Sequence, residues 1–230
     1  MLALAGCDSV FGLFRVELPI DASIDAQQCT NPIVSDDFEL AGPPCGTWGM
    51  VQGTASSVTR SGGALVITPP TGVKVSAGCK TSSLMPFTAG GVFVKVPTVE
   101  IANGYSDLQV ITYTTINDAT FNANTGLSAM QFSVGLIDQE SCIVGPCFYY
   151  AEGPYSADEM LWWRVAPTND GHTLTASFAA DGVHWIEFGH RDLLPPALAA
   201  YVQTALIGGN VGGTSAPGMT EFDSFNICPP

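Results

Sequence analysis

Positive charge is scarce in this sequence. Lys and Arg together number 7 in 230 residues, against 21 Asp and Glu, which gives a formal net charge of −14. Phosphate binding draws on clustered Lys and Arg, so the balance argues against nucleic acid as a partner. Charge of either sign is sparse at 12%, while hydrophobic residues make up 46%, so the chain has material for a core and too little charge to stay unfolded. Long apolar runs are also missing. No stretch reaches the ~18 residues that a membrane-spanning helix needs. Histidine occurs only at 172, 184 and 190, and no second close ligand pair accompanies the cysteines, which argues against a zinc centre. The acidity reads as solubility outside the cell, with an acidic cation-binding surface as the alternative.

What is abundant is turn-forming and strand-forming residues. The 25 Gly and 16 Pro suit a chain of many short strands. The stretch from Leu161 to Phe188 shows the pattern best. Leu161, Trp163 and Val165 share one parity, and Leu174, Ala176 and Phe178 share another. Asp170-Gly171 and Asp181-Gly182 punctuate the runs, and Asp-Gly between alternating segments predicts tight antiparallel hairpins. A three-stranded meander is expected here. Further strands are expected at Asp36–Phe38, Ala64–Thr68, Val73–Thr81, Gly91–Val99, Leu108–Ile116, Met130–Ile137, Cys147–Ala151 and Phe222–Ile227. Pro195–Ala200 reads as a short turn or helix leading into a strand from Tyr201 to Gly208. About twelve strands with few helices define an all-β, two-sheet antiparallel β-sandwich or jelly roll.

The N-terminus reads differently. Leu4-Ala5-Gly6-Cys7 resembles the bacterial lipobox, at which a signal peptide is cut and the Cys acquires lipid. Only six residues precede Cys7, without a basic n-region, so the start of the reading frame is expected further upstream. Three segments follow from this: residues 1–7 as the remnant of a lipoprotein signal peptide, 8–35 as a tether, and 36–230 as the sandwich. The resemblance implies a lipid-anchored protein of the bacterial cell envelope, whose contact with the membrane is the lipid alone. With Cys7 set aside, six cysteines remain, which suits three disulfides in an oxidising compartment. Cys142 and Cys147 enclose a short loop, Cys29 and Cys228 flank the domain, and Cys45 and Cys79 are left to pair.

The opening Asp36-Asp37-Phe38, the later Trp48, Gly62-Gly63-Ala64-Leu65-Val66-Ile67, Trp163-Arg164-Val165, Ala180-Asp181-Gly182-Val183-His184-Trp185 and the closing Glu221-Phe222-Asp223-Ser224-Phe225-Asn226-Ile227 occur in one order. In that order they resemble the concanavalin A-like lectin and glucanase jelly rolls. The resemblance implies a sandwich whose concave sheet serves as a carbohydrate face. Glucanases of that superfamily carry an E-x-D-x-x-E strand, with all three carboxylates on one face. Here the run is Glu221-Phe222-Asp223-Ser224-Phe225-Asn226, with Asn226 in place of the third carboxylate, so retaining hydrolysis lacks its acid/base partner and no catalytic residue is assigned. The expected role of Asp223 is a hydrogen bond to a neighbouring loop, while Phe222 and Phe225 pack.

Sugar sites pair an aromatic platform with amide or carboxyl side chains. The densest aromatic cluster contains Tyr149, Tyr155, Trp162 and Trp163. Adjacent strand residues face opposite ways, so Trp163 is expected in the core, leaving Trp162 with Tyr149 or Tyr155 as a candidate glycan platform. Core packing of all these rings is the competing account. Asn117, Asp118, Asn122 and Asn124 form an oxygen-rich segment, read either as a plain polar turn or as a structural calcium loop; no other cofactor is implied. Three roles follow: a non-catalytic, polysaccharide- or glycan-binding envelope protein, a structural or partner-binding one, or a degenerate glycoside hydrolase. Intact-mass analysis of the mature protein is expected to show lipid on Cys7 and no free thiol among the other cysteines; six free thiols would refute the disulfide framework.

Overall fold

The computed structural model describes residues 34–53, 57–73, 75–87, 90–99, 104–112, 119–126, 129–136, 148–168, 173–192, 201–210 and 218–229. Cys7, Cys29, Cys142, Cys147, Asn117, Asp118, Asp170-Gly171 and the Pro195–Ala200 segment lie outside them. The described residues form fifteen strands and no helix. In chain order these are β1 Gly49–Gly53, β2 Val58–Ser61, β3 Ala64–Ile67, β4 Ser76–Thr81, β5 Met85–Pro86, β6 Val92–Val99, β7 Gly104–Thr112 and β8 Ala119–Gly126. There follow β9 Ala129–Leu136, β10 Phe148–Pro154, β11 Trp162–Pro167, β12 Thr173–Ala179, β13 Ile186–Asp192, β14 Tyr201–Asn210 and β15 Thr220–Asp223.

They build two antiparallel sheets. The first is eight-stranded, in the order β1-β4-β14-β7-β8-β9-β10, with β5 paired to the end of β14. The second is seven-stranded, in the order β13-β12-β11-β6-β15-β3-β2. Alternation decides what lies between them. From the seven-stranded sheet come Leu65, Ile67, Val92, Val94, Val96, Trp163, Val165, Leu174, Ala176, Phe178 and Phe222. From the eight-stranded sheet come Ala77, Cys79, Leu108, Val110, Val202 and Leu206, and all belong to one buried cluster. Two buried hydroxyls cross the gap, Ser106 and Thr220, 2.7 Å apart. Trp163 is wholly buried, and its indole N–H donates to the Met160 carbonyl at 2.8 Å, so the largest core side chain leaves no unpaired donor.

The expected all-β sandwich is present, and so is the meander. Trp163 pairs with Phe178 across β11 and β12, and Ser177 with Glu187 across β12 and β13. The Asp181-Gly182 connection differs from expectation. It is a longer loop, residues 180–185, in place of a two-residue turn. Asp181 Oδ1 accepts the N–H groups of Val183 and His184, each at 2.8 Å, and Gly182 takes a φ of +75°. A Cβ at Gly182 would sit 2.9 Å from the Trp162 ring, so the loop lies directly on that indole.

Other expectations need correcting. Asp36–Phe38 is no strand: Asp36 makes a lone bridge to Phe225, and Phe38 adopts a φ of 57°. The last strand stops at Asp223, because Ser224 and Asn226 take left-handed φ values of 49° and 52°. Asn122 and Asn124 belong to a full strand, β8, paired on both sides, where a polar loop was expected. The Cys45–Cys79 disulfide is present, with Cα atoms 5.3 Å apart, and ties the segment before β1 to β4. Closing a span of 34 residues removes roughly 4 kcal/mol of unfolded-chain entropy on the loop model. Cys228 is disulfide-bonded as well.

One polar knot joins the two ends of the sandwich. Asp36 Oδ2 accepts the Trp48 indole N–H at 2.6 Å and pairs with the Arg60 guanidinium. Asp36 Oδ1 accepts the Phe38 N–H at 2.8 Å. Arg60 also donates to the Pro44 and Leu40 carbonyls and lies over the Phe38 ring. Trp48 packs on Phe225. Both charged side chains are largely buried, at 11% exposure for Asp36 and 9% for Arg60. Removing one partner of such a pair strands the other charge. Asp36→Ala is therefore expected to cost about 3–5 kcal/mol in denaturant unfolding. Trp48→Phe, which loses one hydrogen bond, should cost nearer 1 kcal/mol. Equal effects would show that the ion pair is not the stabilising element.

Candidate functional site

The inner faces are used up by the core, so any site must lie on an outer face or at a loop. The outer face of the seven-stranded sheet is covered at its Trp162 end. Trp162 does point away from Trp163, as parity requires, but it is only 5% exposed. It forms a small buried cluster with Phe93 and Ala179, flanked by Leu161 and Trp185. Pro229 and Gly182 approach each other to 2.8 Å measured from the built Cβ position, over the same indole. Arg164 lies 4.4 Å over the Trp185 ring and adds a cation–π contact. Trp162 is thus a packing residue, and its assignment as an exposed glycan platform is corrected.

The incomplete glucanase-like run lies on this same sheet. Glu221 accepts from the Thr98 hydroxyl, and Asp223 pairs with Lys95 at 3.0 Å. Both partners belong to β6, the neighbouring strand, so Asp223 is tied to a strand and not to the loop expected for it. Phe222 and Phe225 are wholly buried, as expected. Asn226 is buried too. Its side chain accepts from the Phe93 N–H at 3.0 Å and donates to the Val34 carbonyl at 2.9 Å, a bridging role with no group left for chemistry.

The outer face of the eight-stranded sheet is different. On β7, Ser106, Leu108 and Val110 face inward, so Tyr105, Asp107, Gln109 and Ile111 face outward. On β14 the outward set is Tyr201, Gln203, Ala205, Ile207 and Gly209, since Val202 and Leu206 belong to the core. Tyr105, Ala205 and Ile207 form a buried apolar patch. Tyr105 can lie flat there because its neighbour is glycine: a Cβ at Gly209 would fall 2.0 Å from the ring.

Beside this patch sits Asp107, 3% exposed. Its Oδ2 accepts from the Gln109 amide at 2.7 Å, whereas its Oδ1 has no partner. Burial pushes the carboxyl up to about 7, and the Gln109 hydrogen bond opposes that shift only in part. Gln109 itself is half-buried.

Residues that face each other across a ladder share a side of the sheet, so the register extends the face. One row runs Ile207, Asp107, Asn124, Gln131, Glu152 across β14, β7, β8, β9 and β10. The next runs Lys80, Ala205, Gln109, Asn122, Ser133, Tyr149 from β4 to β10. The two rows bring together an apolar end and a long polar end.

The three predicted ligand residues are not brought together. Tyr149 occupies a position on this polar face, Trp162 lies under the opposite sheet's loops, and Tyr155 packs edge-on against Trp163 with ring centres 6.3 Å apart. Burial pushes the Tyr155 phenol up to about 12. The sequence reading missed Asp107 and Gln109. Their signal was available: two hydrogen-bonding residues at i and i+2 in an otherwise apolar strand share one face. Among the described residues no group of three His, Cys, Asp or Glu is placed to hold a metal ion.

No protein-family model and no curated protein matches the sequence. Solved structures do match in fold. A non-specific endo-β-1,3(4)-glucanase from family GH16 superposes with a TM-score of 0.63 at 10% identity, covering 85% of this chain and 89% of its own. The laminarinase from Rhodothermus marinus gives 0.55 at 11% identity, covering 85% and 96%. A legume lectin-like domain from Entamoeba histolytica gives 0.54 at 12% identity, with the same coverages of 85% and 96%. The fold is therefore that of a concanavalin A-like sandwich.

The raised Asp107 carboxyl has a thermodynamic consequence. The folded state holds a proton that the unfolded chain has lost, between the ordinary value of 3.8 and about 7. Stability therefore falls as pH rises through that window and levels off above it, by up to roughly 4 kcal/mol for one group. Asp107→Asn is expected to raise the melting temperature at pH 8 and to change it little at pH 4. An equal shift at both pH values would show that Asp107 ionises normally.

Proposed function

We propose that this chain is a non-catalytic, carbohydrate-binding sandwich that takes its ligand on the outer face of the eight-stranded sheet. The observation that carries this reading is the pair of rows centred on Asp107 and Gln109. A sugar ring offers apolar C–H surface and a rim of hydroxyls. The rows set the half-buried Gln109 in line with the Asn122 and Ser133 positions of the next two strands, residue types that hydrogen-bond a hydroxyl rim, while Tyr105, Ala205 and Ile207 are buried and back the face. The fold is shared with a glucanase, a laminarinase and a lectin-like domain, which supports a carbohydrate ligand.

The carboxylate spacing supports binding over hydrolysis. Glycosidic cleavage uses two carboxyl groups about 5–5.5 Å apart, or about 6.5–9.5 Å apart in inverting enzymes. On this face the described carboxyl residues in the Asp107 row are Asp107 and Glu152, on β7 and β10. Three strand spacings separate them, roughly 14 Å. Asp107 thus has no partner in that row at working distance. A partner-binding role without a sugar site is the second reading, and the burial of Tyr105 and Ile111 favours it, since it leaves Gln109 as the more open residue of β7. With Cys7 lipidated and residues 8–35 as a tether, either role would be exercised at the bacterial envelope.

The test is a glycan array followed by titration with laminarin and mixed-linkage β-1,3(4)-glucan, using the oxidised chain with Cys7→Ser. Gln109→Ala is expected to weaken binding about tenfold or more, some 1.4 kcal/mol, without loss of fold. Binding unaffected by Gln109→Ala would move the site elsewhere. Silence across the array would leave the partner-binding role as the better account.

A further inference from the structure

Seven large apolar side chains are exposed among the described residues, and three of them, Met50, Leu84 and Tyr201, border the outer face of the eight-stranded sheet. Tyr201, at 54% exposure, is the one aromatic in that set. Its direction follows from alternation. Val202 and Met85 enter the core, so their neighbours Tyr201 and Pro86, paired across β14 and β5, face outward together. Leu84 lies one residue before β5. Met50 stands opposite Lys80 in the row that runs through Ala205 to Gln109. Single exposed apolar residues are ordinary, but several around one face mark a contact surface.

The packing of the sheet does not account for Tyr201. Ala205 and Ile207, outward on the same strand, are buried with Tyr105 in a cluster that leaves Tyr201 out. Between Tyr201 and Gln109 lies Gln203, also outward and half-buried. Its amide N–H donates to the Thr81 carbonyl at 3.0 Å, which orients the amide. Gln203 stands opposite Ile111, so Gln109 is its diagonal neighbour, ~7–8 Å away. Tyr201 is two residues along β14, ~7 Å from Gln203. A ring and two amides thus share one oblique strip, ~14 Å long, across β14 and β7. Beyond Gln109 the strip joins the Asn122 and Ser133 positions of β8 and β9.

We propose that Tyr201 is the stacking platform at one end of the glycan site, with Gln203 and then Gln109 as successive hydrogen-bonding positions, so that the face takes an extended chain of neutral, glucose-like pyranoses. This rests on the carbohydrate-binding reading above and adds to it the aromatic platform, the path across the strands and the ligand class. A pyranose whose hydroxyls are all equatorial presents ring C–H bonds on its flat faces, and an exposed aromatic ring is a surface for them to pack against. Amides and a phenol ring suit hydroxyl groups over a charged substituent. Lys80, which flanks the strip on β4, is itself engaged. The strip is longer than one sugar ring, so affinity grows with chain length. The ring supplies the stacking, and the phenol hydroxyl is incidental to it.

The experiment is calorimetric titration of the full oxidised Cys7→Ser chain with laminarihexaose, laminaribiose and, as a charged comparison, an alginate hexasaccharide. Wild type is expected to bind laminarihexaose about tenfold or more tightly than either of the others. Tyr201→Ala should weaken that binding about tenfold and melt as wild type does, since an exposed side chain adds little to stability. Tyr201→Phe keeps the ring and should recover most of the loss. Gln203→Ala should weaken binding about fivefold. Ile186→Ala, a similarly exposed apolar residue on the edge of the other sheet, is the control and should bind as wild type does. Full affinity in Tyr201→Ala or Gln203→Ala, with Gln109→Ala weakened, would overturn the strip and leave the glycan reading standing. So would an equal loss in Ile186→Ala. A loss in Tyr201→Phe as large as in Tyr201→Ala would assign the contact to the hydroxyl and overturn the stacking. Tighter binding of alginate than of laminarihexaose would overturn the neutral ligand class. Absence of wild-type binding to all three and to every arrayed glycan would overturn the glycan reading and the platform with it.

Discussion

The Asp36 carboxylate is the constraint on which the assembly of this sandwich turns. It is held by a guanidinium from β2, an indole just before β1 and a backbone N–H two residues on, while its own backbone exchanges two hydrogen bonds with Phe225 after β15. None of these contacts is local to one hairpin. Together they fix the chain's entry, its first two strands and its last strand in one place. The Cys45–Cys79 link performs a related task on the other sheet, tying the segment between Asp36 and β1 to β4. A β-sandwich forms from contacts distant in sequence, and long-range closure is the slow and costly step in such folds. A charged pair beside one sheet and a covalent link on the other, each joining segments distant in sequence, limit the alternatives open to the chain.

The two outer faces have been given opposite characters. The seven-stranded sheet buries its outward aromatics beneath the 180–185 loop and the C-terminal residues, and pairs its carboxylates with β6. The eight-stranded sheet spends its outward positions on an apolar patch followed by rows of amide, hydroxyl and carboxyl residues. A protein stabilised only by its core has no need of that second arrangement. The glycines at 78 and 209 contribute to it, because each lets a neighbouring strand or ring approach closer than a Cβ would allow, and the Tyr105 ring is laid across the sheet as a result.

The class of fold was legible because period-2 alternation is a property of the sequence itself. Leu174, Ala176 and Phe178 could be placed on one face without knowing what they would touch, and Trp163 was placed in the core by the same parity. Cys45 and Cys79 could be paired by exclusion. What could not be read was cover. Parity sent Trp162 outward, but whether an outward residue meets water depends on loops that fold back from elsewhere, here Gly182 and Pro229. The same limit hid β8. Its Asn and Thr residues have weak strand preference and resemble a polar loop, and only pairing with β7 and β9 makes them a strand. Asp107 and Gln109 were missed for a related reason. A single pair of polar residues in an apolar strand has no meaning until the register shows what lines up beside it.

The meeting of Asp36 and Phe225 also sets how the domain would respond to force. The first described residues and the last described strand leave the sandwich from the same corner, joined by two backbone hydrogen bonds of 2.9 and 2.8 Å and by the Asn226 side chain gripping the Val34 carbonyl. A pull applied at Val34 reaches this corner first. It loads a handful of bonds one after another, as a zipper is loaded, and does not shear a whole ladder at once. The Asp36–Arg60 pair is the next link behind it. The corner is thus the place where a pull at Val34 would first meet resistance.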